Sequence, residues 1–119
     1  MSDLARHVTS AADAVTQANH ATFRGLIAPP DAYDVVGGLV DLARRLPQLT
    51  DFLIRSITRA DPADYFDDRD SDGEPDTKLT LTVALAGLFG AGHDLTELAF
   101  HLEQTHNALG HLGRHTPED

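Results

Sequence analysis

The chain contains no cysteine and no tryptophan, and only nine of its 119 residues are basic. The absence of cysteine excludes disulfide staples, zinc ribbons and thiol catalysis. Nineteen acidic side chains outnumber the basic ones and give a formal net charge of −10. This excess argues against general nucleic-acid binding, which needs lysine and arginine to neutralise phosphates. The length suits one small domain over residues 1–119.

Targeting signals and long apolar runs are missing as well. The N-terminus lacks the basic start and apolar run of a signal peptide. The richest apolar stretch, 79–91, is interrupted by two threonines and two glycines, whereas a membrane span needs about 18 uninterrupted apolar residues. We therefore expect a cytoplasmic protein that does not bind membranes.

Patterns typical of catalysis are not recognisable in the sequence. The chain has no H-E-x-x-H, no G-x-S-x-G and no phosphate-binding loop. A non-enzymatic protein is therefore predicted.

Apolar residues recur alternately three and four positions apart in three segments, at about 3–23, 32–59 and 77–112, as in amphipathic helices. The three apolar stripes are Leu4, Val8, Ala11, Val15, Ala18 and Thr22; Val35, Leu39, Leu42, Leu46, Leu49 and Leu53; and Leu81, Leu85, Leu88, Gly92, Leu95, Ala99, Leu102, His106 and Leu109. Near-heptad spacing favours antiparallel packing. The fold class predicted is all-α, a small antiparallel bundle of three long helices.

The second segment contains Pro47, which removes a backbone hydrogen bond and crowds the carbonyl of Ala43. The stripe keeps its phase through Pro47, so we predict one kinked helix, with Asp31 as its N-cap. A true break would give four helices. Additional apolar residues widen the stripe, namely Val36, Val40, Phe52, Ile54 and Ile57.

Residues 61–76 form a predicted loop that concentrates the acidity of the chain. The loop holds eight acidic residues and one basic residue, for a local charge of −7. Within it, 68–76 reads D-x-D-x-D-G-x-x-D. Alternate carboxylates in a tight loop can converge on calcium, which takes six to eight oxygen ligands. The candidate ligands are Asp68, Asp70, Asp72, Asp76 and the carbonyl of Glu74.

This pattern is similar to the first nine positions of an EF-hand loop. It also matches the calcium loops of integrin-type propeller repeats and resembles those of dockerins. The resemblance implies a Ca²⁺ ion as cofactor. Leu79 stands where an EF-hand has its bidentate glutamate, and Pro75 replaces the usual apolar eighth residue. The alternative is a solvated acidic linker that binds no ion.

Five of the seven histidines lie in the third segment. His93, Glu97 and His101 share a helix face and offer the spacing of a zinc or nickel site. They lie away from the apolar stripe, so we predict a solvated polar face. His106 falls within the stripe and is predicted to be a core or interface histidine.

Three functions agree with these observations. The first is a protein–protein interaction or regulatory module that self-associates as a homodimer or binds a protein partner, since long apolar stripes occur without catalytic residues. The second is a calcium-binding or calcium-stabilised helical module. The third is an acidic decoy that occupies a nucleic-acid-binding partner.

Overall fold

The computed structural model describes residues 1–69 and 76–115, which form three long α-helices and no strand. The helices are α1 (Asp3–Ala21), α2 (Pro29–Thr58) and α3 (Thr77–Gly110), with 3-10 turns at Thr22–Arg24 and Pro62–Asp64. The all-α prediction is confirmed. The sequence also predicts a frayed C-terminal tail at 113–119. This tail and the predicted acidic loop lie partly outside the described residues.

Local sequence explains where each helix begins. The Ser2 hydroxyl accepts a hydrogen bond from the backbone N–H of Ala5 (3.1 Å) at the start of α1. Helix α2 begins at Pro29, two residues before the predicted cap Asp31. Proline needs no hydrogen-bond acceptor in the first turn, and its fixed φ suits a helix start. The predicted cap at Asp31 is therefore wrong.

Helices α2 and α3 pack as an antiparallel hairpin along most of their length. Helix α2 is continuous through Pro47, as predicted, and the alternative of a break into two helices does not occur. The Thr50 hydroxyl donates to the Pro47 carbonyl at 2.9 Å. Val40, Ala43 and Ala99 are buried between the helices. Because two of these three side chains are alanines, the helix backbones can approach closely at this point.

Helix α1 projects from the hairpin. In the described part of the chain, α1 contacts its own 3-10 turn but neither α2 nor α3. Every residue of α1 except Ala5 is exposed. The molecule measures 78 × 29 × 26 Å and has a radius of gyration of 20.7 Å, whereas a compact domain of this length has about 13.5 Å. The helix packing therefore resides in the α2–α3 hairpin.

Two aromatic rings, one from α2 and one from α3, stack at the end of the hairpin where α2 begins. The rings of Tyr33 and His106 lie 4.0 Å apart and nearly parallel, at 11°. A Cβ atom at Gly37 would lie 3.0 Å from Nε2 of His106, and one at Gly110 would lie 3.1 Å from the Tyr33 ring. His106 thus lies in the contact between α2 and α3, as its place in the stripe predicted.

Adjacent glycines in α2 provide a matched test of this close approach. Gly38→Ala is expected to raise the free energy of unfolding by about 1 kcal/mol, because alanine favours helix and open space surrounds Gly38. Gly37→Ala is expected to lose that gain, since its methyl group would press on His106. Urea unfolding of both variants measures the difference. Equal stabilisation by the two substitutions would contradict the contact.

Candidate protein interface

Helix α2 carries two adjacent apolar stripes, and α3 covers one of them. The covered stripe consists of Val36, Val40, Ala43, Pro47, Thr50, Ile54 and Ile57, all buried or half-buried. Each residue of the uncovered stripe immediately precedes a residue of the covered stripe, so the two stripes are about 100° apart around the helix axis. The uncovered stripe is the one predicted to face the core, namely Val35, Leu39, Leu42, Leu46, Leu49 and Leu53. All but Leu49 are exposed, so the prediction is wrong for this stripe, whereas four of the residues predicted to widen it belong to the covered stripe, namely Val36, Val40, Ile54 and Ile57.

An ion pair identifies the two flanks of the hairpin. Nε of Arg44 donates to the Glu103 carboxylate at 2.7 Å. Arg44 follows the buried Ala43 by one residue, and Glu103 follows Leu102 of the α3 stripe in the same way. The residues that follow the packing residues by one position thus lie on one flank of the hairpin. In an antiparallel pair, the residues that precede the packing residues by one position lie together on the opposite flank. The uncovered leucines lie on that opposite flank.

The same flank of α3 presents mostly small residues. The positions one before its packing stripe are Thr80, Ala84, Gly87, Ala91, Asp94, Leu98, His101 and Thr105. We call this flank the leucine face: the uncovered α2 stripe (Val35, Leu39, Leu42, Leu46, Leu49 and Leu53) with these α3 positions. It combines a ridge of large side chains on α2 with an α3 surface that is low from Ala84 to Ala91 and carries Asp94, Leu98 and His101 farther along.

The α3 stripe, in contrast, packs as predicted. Each of its nine members from Leu81 to Leu109 is buried or half-buried against α2. Helix α3 has a less continuous second stripe, because Asp94 and His101 interrupt it. The sequence therefore identified the packing side of α3 but not that of α2.

The α2 ridge of the leucine face is exposed along most of its length. The solvent-accessible surface of the protein is 9877 Å², whereas a folded monomer of this mass exposes about 6300 Å², and the projecting helix α1 supplies part of the difference. Leu42 and Leu46 keep 43% and 39% of their surface in solvent. Soluble monomers rarely expose contiguous apolar patches above a few hundred Å². A regular ridge of exposed leucines is typical of a protein-binding surface.

The predicted calcium loop falls largely outside the described residues. Asp70, Asp72 and Glu74 lie in that gap. Asp68 is exposed, and the Asp76 carboxylate caps α3 by accepting from the backbone N–H of Leu79 at 3.0 Å. Within 1–69 and 76–115, no three histidine or acidic side chains gather in a metal-binding group. The calcium site therefore stays a prediction.

Sequence reasoning missed Asp67, which fastens the acidic segment to α3. Its side chain is 6% exposed and forms an ion pair with Arg69. The carboxylate accepts hydrogen bonds from the Arg69 side chain, the Thr80 hydroxyl and the Arg69 backbone N–H. These contacts hold the pKa of Asp67 well below its ordinary range, and the hydrogen bond from the Arg69 side chain has the largest effect. Thr80 lies in the first turn of α3, so the cluster attaches the chain at Asp67 to the start of that helix.

This cluster predicts a specific dependence of stability on pH. A carboxyl whose pKa is lower in the folded state stabilises the protein above its ordinary pKa of about 3.9 and loses that effect as the pH falls. Asp67→Asn is expected to reduce stability at pH 7 and to flatten the loss of stability below pH ~4. Thermal unfolding from neutral to acidic pH measures both effects. Exposed Asp68, replaced by asparagine, is the matched control, and identical pH profiles for the two variants would contradict this role of Asp67.

The histidine face is exposed, and its contacts are local. His93 Nε2 lies 3.3 Å from the Glu97 carboxylate, one helical turn away. The His101 ring lies edge-on to Phe100, with ring centroids 5.7 Å apart. These side chains lie on the solvent side of α3, as predicted for a polar face.

Comparison with known protein families, characterised proteins and solved structures gives no match for this chain. Among the helices that the structure describes, none is both long and apolar enough to cross a membrane. Function is therefore argued from the leucine face itself.

Proposed function

We propose that the protein is a non-enzymatic protein–protein interaction module that self-associates as a homodimer through its leucine face. The observation that carries this proposal is the pair of adjacent apolar stripes on α2. One stripe already packs against α3, and the other forms a regular ridge in solvent. Burial of apolar surface contributes roughly 25 cal/mol per Å², so covering the second stripe supplies a driving force for association.

The charge distribution supports close approach of two copies. Residues 1–58 carry six acidic and five basic side chains and are thus nearly neutral, although the whole chain is at −10. The acidity is concentrated in 61–76, between the two helices of the hairpin. Like-charge repulsion therefore acts mainly at one end of the hairpin and leaves the leucine ridge little affected.

Light scattering coupled to size exclusion, over a range of micromolar concentrations, tests self-association directly. We expect a mass twice that of the 12.8 kDa chain, with dissociation on dilution. The dimer should persist in high salt, because apolar burial is not weakened by ionic screening. A single 12.8 kDa species at every concentration would overturn the proposal.

The same experiment separates this proposal from the calcium-stabilised alternative. A dimer held by the leucine face is expected to have the same mass in chelator and in calcium. A mass that changes with calcium but not with magnesium would instead favour a role for the acidic loop in assembly.

A further inference from the structure

We infer that two copies pack leucine face to leucine face about a two-fold axis parallel to the helices, so that α2 of each copy lies on α3 of the other. The product is a four-helix bundle in which Arg45 of one copy pairs with Glu97 of its partner. This inference rests on the proposed self-association and specifies its geometry.

The sizes of the side chains at the end of the leucine face nearer the acidic loop favour this arrangement. The α2 half is a ridge of leucines, and the α3 half is small at Ala84, Gly87 and Ala91. A two-fold axis parallel to the helices preserves height, so it brings Leu49 and Leu53 near Ala91 and Gly87 of the other copy, whereas Leu42 and Leu46 lie level with the segment from Asp94 to His101. An axis across the helices would instead place ridge on ridge. Facing large and small residues pack to higher density, and homodimers with two-fold symmetry are self-complementary in this manner.

Contacts between α2 and α3 show which residues of the two helices lie at the same height along the hairpin axis. Gly37 lies beside His106, and Gly92 lies beside Thr50. Arg45 lies between Gly37 and Thr50 on α2, at a height that corresponds to Glu97 on α3. A two-fold axis parallel to the helices preserves height, so Arg45 of one copy is level with Glu97 of the other.

Arg44 and Arg45 lie on opposite sides of the α2 surface that the bundle would cover. Arg44 pairs with Glu103 of its own chain. Arg45 is 78% exposed, and its partner Asp41 is 3.9 Å away, at the limit of an ion pair. Glu97 is 62% exposed. Arg45 and Glu97 are thus positioned to repeat between copies the pairing that Arg44 and Glu103 make within one copy.

The molecule exposes more surface than a compact monomer, by about 3600 Å² per copy. The projecting helix α1 supplies part of this excess. Obligate homodimers bury about 2000–5000 Å² in total, or roughly half of that per subunit, so the excess is an upper limit on what the leucine face would bury.

Two charge reversals test the geometry. Arg45→Glu and Glu97→Arg each place like charges together twice per homodimer, and each is expected to weaken self-association about tenfold, or ~1.4 kcal/mol. In a mixture of the two variants, both inter-copy pairs become attractive again. We therefore expect the mixed dimer to form with affinity close to that of the unaltered protein. Sedimentation of a mixture with one variant fluorescently labelled measures it.

The pair that acts within one chain provides the matched control. Arg44→Glu and Glu103→Arg are expected to show no mutual rescue on mixing, because their contact does not cross the interface. If the unaltered protein dimerises but Arg45→Glu and Glu97→Arg either have no effect or fail to rescue each other, the geometry is wrong and self-association stands. If the unaltered protein is monomeric, the proposed function fails with it.

Discussion

Replacing Leu42 and Leu46 together by glutamate is expected to leave a helical protein that no longer self-associates. Both side chains are already about two-fifths exposed in the single chain, so the hairpin tolerates charge there. In the dimer, the double variant would bury four carboxylates against apolar side chains, and each unpaired charge costs several kcal/mol. We expect a 12.8 kDa mass by light scattering and helical circular dichroism close to that of the unaltered protein.

The control for this double variant is Leu26→Glu, which makes the same chemical change in the connector before α2, where the leucine is fully exposed. Leu26→Glu should dimerise normally. Loss of helicity in the double variant would show that these leucines stabilise the single chain. A dimer that persists with full affinity would show that association uses another surface.

Ala43→Leu is expected to lower the free energy of unfolding by about 1–3 kcal/mol, because extra methylenes in a well-packed core force side chains and backbone apart. Ala43 is 2% exposed, the lowest value among the buried residues of the chain's described part. It lies near Ala99 and Leu95 of α3, where the two helices approach. Urea unfolding at one fixed protein concentration measures the loss, since the stability of a dimer depends on concentration.

Ala86→Leu provides the comparison, because Ala86 is exposed on α3 and lies outside both apolar stripes. Its free energy of unfolding should stay within about 0.5 kcal/mol of the unaltered protein. Should Ala43→Leu prove equally mild, the covered stripe of α2 would not be the one that packs on α3.

Helix positions followed from sequence because period and terminal residues are local properties. The side of α3 that packs was also predictable, since Asp94 and His101 interrupt its second stripe. On α2 both stripes are apolar, and hydrophobicity alone favoured the one with more leucine. The structure uses the stripe with smaller residues such as Ala43, because close approach of the two backbones depends on side-chain size.

The partners of the acidic residues could not be predicted in the same way. Spacing placed Asp76 in a candidate calcium loop, but its carboxylate caps α3, which depends on where the helix begins. Asp67 lies just outside the motif and fastens the segment through Thr80, thirteen residues later. Contacts of that kind arise from the folded path of the chain and leave no periodic signal.

Association of two copies about an axis parallel to the helices determines where the two projecting α1 helices lie. That symmetry directs both α2 helices the same way, so both connectors before α2, and with them both α1 helices, leave the bundle at one end. The dimer would then present two apolar-striped helices at one end, and contacts made by both together would act at high effective concentration. Dilution below the dimer dissociation constant would separate the two helices and remove that gain.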